Sequence, residues 1–204
     1  MTLKRLLGQF TLANQLTFLR LVAVPAFILA MLDARFGLAF GLFIGAAVTD
    51  LLDGLAARVL RQGTPLGAYL DPLADKLLLT SAFLMLTEFP SMLRQLPLVA
   101  RLPVWLTILT ISRDAFIVLV AFLLYLASNV TRFKPSVWGK LTTVAEMVTI
   151  GLFLLCNWLG RRHEVLDLLV WATLLLTLIS GVHYLLRTIR MIGSTSMPVG
   201  PDES

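Results

Sequence analysis

Apolar residues gather into six stretches along this chain, at about 15–33, 37–62, 65–88, 103–127, 138–159 and 165–187. Crossing a hydrocarbon core of about 30 Å takes about 20 helical residues, and each stretch is long enough. Ahead of the first, Leu3, Leu6, Leu7 and Phe10 share one helical face while Lys4 and Arg5 lie on another, which predicts a short interfacial helix. A basic start before an apolar run is also how a signal peptide begins. Here Arg20 and Pro25 interrupt the run, and no small-residue cleavage site follows. The pattern therefore predicts an all-α polytopic membrane protein, with six transmembrane helices and a short N-terminal interfacial helix. No repeat or linker divides residues 1–191, which read as one domain. Residues 192–204 (IGSTSMPVGPDES) have the composition of a disordered tail.

Composition agrees. The chain is 58% hydrophobic and 14% charged, against about 25% charged in soluble domains. Its net charge of +5 does not point to nucleic acid, because the basic residues sit at helix ends and form no stripe with interleaved aromatics. That placement suits anionic lipid headgroups. With the N-terminus inside, the cytosolic segments carry Lys4, Arg5, Arg58, Arg61, Arg132, Lys134, Lys140, Arg187 and Arg190. The outer ones carry only Arg35, Arg94, Arg101, Arg161 and Arg162, so both termini are expected in the cytosol. The single cysteine, Cys156, lies in an apolar run and reads as a small buried hydrophobe. His163 and His183 fall at opposite membrane edges with no partner at ligand spacing.

Against this apolar background the ionisable residues within the stretches stand out: Arg20, Asp50, Asp53, Asp71, Asp75, Lys76, Arg113, Asp114 and Glu146. Such residues are costly in a bilayer and mark functional sites. Counted from each span's outer end, Arg20 and Asp50 lie about 20 Å deep, Asp75 and Glu146 about 18 Å, and Arg113 about 15 Å. Five spans thus carry charge at one level, in the cytosolic half. Asp50, Asp53, Gly54, Ala57 and Arg58 form one helical stripe, and Gly67, Asp71 and Asp75 form another on a helix opened by Thr64-Pro65. Four carboxylates on two facing helices cannot all stay ionised alone in a low dielectric; protonation is one escape and divalent cations are the other. Oxygen donors without His or Cys select hard cations, Mg²⁺ or Mn²⁺. Gly54, Ala57 and Gly67 allow close approach to backbone, by a ligand or by a neighbouring helix. Intramembrane carboxylates also mark cation transporters, but here the outer halves of the spans are nearly free of charge.

The run Asp50-Leu-Leu-Asp53-Gly54-Leu-Ala-Ala57-Arg58, eight residues, then Gly67-Ala-Tyr-Leu-Asp71-Pro-Leu-Ala-Asp75 resembles the signature of the CDP-alcohol phosphatidyltransferase family. It matches D-x-x-D-G-x-x-A-R-x8-G-x3-D-x3-D at every fixed position. The six-span layout and the opening Asn14-Gln-Leu-Thr17-Phe-Leu-Arg20 are also similar to the family. The resemblance implies that Asp50, Asp53 and Asp71 hold two divalent metals, with Asp75 completing the cluster as the general base that deprotonates an acceptor alcohol. It implies CDP contacts from Gly54, Arg58 and Thr64 beside the small positions Ala57 and Gly67, with Asn14 and Thr17 on the nucleotide side. The donor would be CDP-diacylglycerol, entering sideways from the bilayer, and CMP would leave. If the host is bacterial, the enzyme would sit in the inner (plasma) membrane with its site facing the cytosol. Homodimers are common in the family, although no residue pattern here demonstrates one.

For the acceptor, Arg113 in Ile-Ser-Arg-Asp and Lys140 in Trp-Gly-Lys-Leu-Thr-Thr are the best-placed cations for a phosphate, with Arg132 and Lys134 nearby. Arg113 has an alternative structural role as the partner of Asp114 or Glu146. The Ser-Arg-Asp and Gly-Lys-x-Thr-Thr elements resemble those of phosphatidylglycerophosphate synthases, whose acceptor is glycerol 3-phosphate. Asp114 stands where those usually carry Glu, and Leu141 where they usually carry Lys. Ser-Arg-Asp followed by Arg132-Phe-Lys-Pro135 also looks like the cardiolipin synthases of this family, which use phosphatidylglycerol. Glycerol 3-phosphate is the favoured expectation.

Overall fold

The computed structural model describes residues 12–60, 65–87, 96–128 and 136–195, and their side chains except those of 12–17, 50–60, 65–73, 75, 121–128 and 190–195. Six helices fill these residues: α1 (Leu12–Leu32), α2 (Phe36–Leu60), α3 (Pro65–Leu86), α4 (Val104–Ser128), α5 (Val137–Leu159) and α6 (Val165–Thr195). Except at the end of α6, their bounds fall within about three residues of the apolar stretches, as expected when an apolar run must satisfy its own backbone hydrogen bonds. α6 continues through Thr195, so the boundary expected at 192 is corrected by four residues: helical hydrogen bonding carries past the last apolar turn. The interfacial helix expected near the N-terminus and the rest of the tail lie outside the described residues. Across the described side chains, Val137–Leu159 and Val165–Ile189 are long and apolar enough to cross a membrane. Phe18–Leu32, Phe36–Thr49 and Lys76–Leu86 are shorter apolar runs.

Local chemistry fixes the helix ends. Pro65 opens α3, where its missing N–H costs nothing. Ser136 caps α5, its hydroxyl accepting from the Gly139 N–H at 3.0 Å. α5 closes on Gly160 at φ 67°, where Arg161 N–H reaches Cys156 O at 3.1 Å. α1 closes the same way on Ala34 at φ 55°, with Arg35 N–H on Ala30 O at 2.8 Å. There a Cβ occupies a left-handed position that glycine fills more cheaply.

α1 packs on α2 and α3, α2 on α5, α5 on α6 and α3, and α6 on α4, whereas α3 and α4 touch only lightly. The apolar core occupies one end of the bundle. Phe27 and Met31 of α1, Phe43 of α2, Phe83 and Leu86 of α3, Leu106 of α4, Leu154 of α5 and Leu166 of α6 are all fully buried there. Paired hydroxyls tie α5 to α6: Thr149 to Thr173 at 2.8 Å, and Thr142 to the Leu176 carbonyl at 3.1 Å. Hydrogen bonds of this kind hold apolar helices together where lipid competes for van der Waals contact.

The same end is closed by Asn157. Its carboxamide oxygen accepts from Val99 N–H at 2.8 Å and Ala100 N–H at 3.1 Å, and its amide donates to Ala100 O and Phe153 O, both at 2.8 Å. Beside it, Leu102 N–H binds Leu86 O at 2.8 Å, and the Thr87 and Thr107 hydroxyls meet at 2.6 Å. Asn157→Ala strands three backbone groups of the 99–100 segment and the amide's own acceptors, and is expected to cost about 2–4 kcal/mol. Reversible unfolding of the detergent-solubilised protein measures this; an unchanged midpoint would remove Asn157 from that role.

Candidate active site

Towards the end away from the core lie the buried and half-buried charged side chains of the helices. Arg20 is buried among Phe43, Ala46 and Ala47 of α2, Leu78 and Leu79 of α3 and Met147 of α5. Asp114 of α4 receives two cations, Lys76 Nζ of α3 on Oδ2 and Arg113 Nη1 on Oδ1 at 2.6 Å. Arg113 Nη2 donates to Ser180 Oγ of α6. The Arg113 side chain runs past two glycines: a Cβ on Gly139 would come 3.3 Å from Nη2, and one on Gly181 would come 3.9 Å from Cγ. Glu146 of α5 is 1% exposed, has Lys76, Asp114 and Arg113 as its charged neighbours, and neither of its oxygens has a hydrogen-bond partner among the described residues. Of the residues placed at one level by counting along the spans, Arg113 of α4 and Glu146 of α5 are neighbours here, and they are joined from α3 by Lys76, next in sequence to Asp75.

Helix register carries this level to the signature. α2 and α5 run antiparallel, Gly37 lying beside Trp158, Ile44 beside Gly151, and Ala47 with Met147 around Arg20. Continued by one turn, that register sets Asp50 of α2 close to the level of Glu146. From Arg20 against Ala46, Ala47, Leu78 and Leu79, three residues back along α1 bring Thr17 to the level of Asp50 and Asp75. Asn14 lies a further turn out. Gly54, Ala57 and Arg58 continue α2 in that direction, and Gly67 and Asp71 precede Asp75 on α3. Their side chains, and all of Thr64, Arg132 and Lys134, lie outside the described residues.

Of the expected acceptor-side residues, Arg113 takes Asp114 as its partner and reaches the first turn of α5, where Lys140 stands exposed one residue after Gly139. Cys156 is buried and free, and both histidines are exposed. Ser180 had no role in the sequence reading, since it looks like any small residue of an apolar helix. Lys76 stood among the charges within the apolar stretches, but its partner, 38 positions away, was not legible.

A helical bundle whose buried charges gather beside D-x-x-D-G-x-x-A-R and G-x3-D-x3-D defines an enzyme class, and comparison agrees. Residues 10–179 match the CDP-alcohol phosphatidyltransferase family model, and the chain belongs to that family. It is similar to a probable phosphatidylglycerophosphate synthase of Mycobacterium tuberculosis, 38% identical over 189 residues covering 89% of this chain and 83% of the relative. It is also similar to the CDP-diacylglycerol–glycerol-3-phosphate 3-phosphatidyltransferase of Bacillus subtilis, 31% identical with 86% and 93% covered. Human cardiolipin synthase (CMP-forming) is 27% identical, with 90% of this chain and 64% of the relative covered. The chain is a phosphatidyltransferase of phospholipid biosynthesis.

The hydroxyl of Ser180 supports a nearly buried guanidinium, a bond of the charge-assisted kind. Ser180→Ala should therefore cost about 1.5–3 kcal/mol in the same unfolding experiment, more than a neutral bond would.

Proposed function

We propose that this chain transfers the phosphatidyl group of CDP-diacylglycerol to the primary hydroxyl of glycerol 3-phosphate and releases CMP. The observation that carries this reading is the complete eight-residue signature on α2 and α3, lying by helix register at the level of the buried charges. The relatives named for glycerol 3-phosphate transfer support the acceptor. We read the chain as six membrane spans with both termini and the site on the cytosolic side of a plasma membrane.

In this reading Asp50, Asp53, Asp71 and Asp75 are the ligands of Mg²⁺ or Mn²⁺. The donor set fits: it is all oxygen and comes from two consecutive helices that both border the Arg20 pocket. Divalent cations bound there supply neutralisation of the pyrophosphate and of the departing CMP. Gly54, Ala57 and Gly67 leave room for the cytidine diphosphate along the helix backbones. Arg58, Thr64, Asn14 and Thr17 contact it. Asp75 takes the proton of the attacking hydroxyl as the oxygen bonds to phosphorus. Lys140, with Arg113, Arg132 and Lys134, receives the acceptor's phosphate, and bound glycerol 3-phosphate is thereby held with its free primary hydroxyl towards Asp75.

Asp75→Asn is expected to abolish CMP release while the protein still binds CDP-diacylglycerol; turnover at the wild-type rate would remove Asp75 from the role of base. A second assay gives the purified protein radiolabelled CDP-diacylglycerol with glycerol 3-phosphate, phosphatidylglycerol, inositol phosphate or serine. Phosphatidylglycerophosphate is the expected product. Cardiolipin would instead support the second reading, which the human relative and the Arg132-Phe-Lys-Pro135 run favour. Chelation should stop the reaction and Mg²⁺ or Mn²⁺ restore it. Metal flux into proteoliposomes without CMP release would mark a transporter.

A further inference from the structure

α3 and α4 are neighbours in sequence yet meet at few points. Near the core they are joined by Thr87 to Thr107 and by Leu102 N–H to Leu86 O. Towards the signature they part around a cleft of about 460 Å³, lined by Thr80, Ile111, Ala115, Val118 and Leu119. Lys76 and Asp114 line this cleft too, and their ion pair bridges it. Apolar packing holds α3 here against α1 and α5, through Leu78 and Leu79. Towards α4, among the described residues, the contact at this level is the Lys76–Asp114 ion pair.

Asp114 is suited to that contact. Its side chain is 17% exposed, and its second oxygen is held by Arg113, itself 8% exposed. Arg113 is in turn fixed by Ser180 and confined beside Gly139 and Gly181. The chain Ser180–Arg113–Asp114–Lys76 thus runs from α6 through α4 to α3. It ends one residue after Asp75, about 100° around the helix. We propose that Asp114 is a positioning residue for the transfer reaction. One oxygen holds Lys76 and sets the rotation of α3 at Asp75; the other holds Arg113 in place beside Lys140. This rests on the reading of Arg113 and Lys140 as the acceptor's phosphate subsite.

The test compares wild type, Lys76→Gln, Asp114→Asn, Asp114→Glu and the double variant Lys76→Gln/Asp114→Asn as full-length protein in lipid nanodiscs, with CDP-diacylglycerol, Mg²⁺ and varied glycerol 3-phosphate. Rates are normalised to folded protein. Lys76→Gln should lower kcat by about 10- to 100-fold, the range seen when supporting partners of ligand residues are lost, with KM for glycerol 3-phosphate unchanged. Asp114→Asn should lower kcat similarly and also raise that KM, leaving KM for CDP-diacylglycerol in place. Asp114→Glu should recover most of the loss, because charge and both partners are kept. The double variant should match Asp114→Asn in kcat, since both changes cut one link. Wild-type kcat in Lys76→Gln, equal impairment by Asn and Glu, multiplicative loss in the double variant, or losses that vanish on normalisation would each overturn the proposal. Failure of wild type to use glycerol 3-phosphate would instead overturn the proposed acceptor.

Discussion

A charge taken out of water has to find an opposite charge or a strong dipole, and in a chain this apolar the need decides how the helices sit. Asp114 meets it for two cations at once, Lys76 and Arg113, drawn from different helices. Remove the shared carboxylate and two positive side chains face each other beside a cleft. Among the described residues α3 and α4 touch only lightly, with the ion pair at the edge of the cleft between them. The ion pairs, the Ser180 hydroxyl and the two glycines that make room for Arg113 act as one construction.

The bundle is accordingly divided along its length. One end is filled with Phe, Leu and Met and closed by the carboxamide of Asn157, whose hydrogen bonds leave the connecting backbone of residues 99–100 no freedom to open. Towards the other end lie the buried ionisable residues Arg113 and Glu146 and, by helix register, the family signature. A packed end with no buried charge supplies rigidity, and the polar end then has helices whose positions are already set when substrates arrive. Pre-setting of this kind lets a small constellation of carboxylates act without reorganising. Glu146 fits the same division: it is fully buried beside the Lys76, Asp114 and Arg113 group.

Much of this was legible in the residue order. Apolar run length located all six described helices, because a long apolar run satisfies its own backbone hydrogen bonds most readily as a helix. Proline, serine and glycine at Pro65, Ser136 and Gly160 mark three of the helix ends through their own torsional and hydrogen-bonding preferences. Ala34 carries no such mark, and its left-handed turn comes from the demands of joining α1 to α2. The signature aspartates stand at helical spacing in the residue order, and α2 and α3 carry them.

Choice of partner was not legible. From the sequence, Arg113 had Asp114, Glu146 and a substrate phosphate as equivalent options; folding gave it Asp114, because that carboxylate also had to answer Lys76. Ser180 and Gly139 acquired their importance only when three helices converged on one guanidinium. Spacing along a helix is a local property, set by 1.5 Å per residue and 100° per step, so sequence alone determined the helices and the level of the charges. Which charge meets which depends on rotation and separation between helices. Those are decided by packing summed over residues far apart in the chain, and only the tertiary structure holds them.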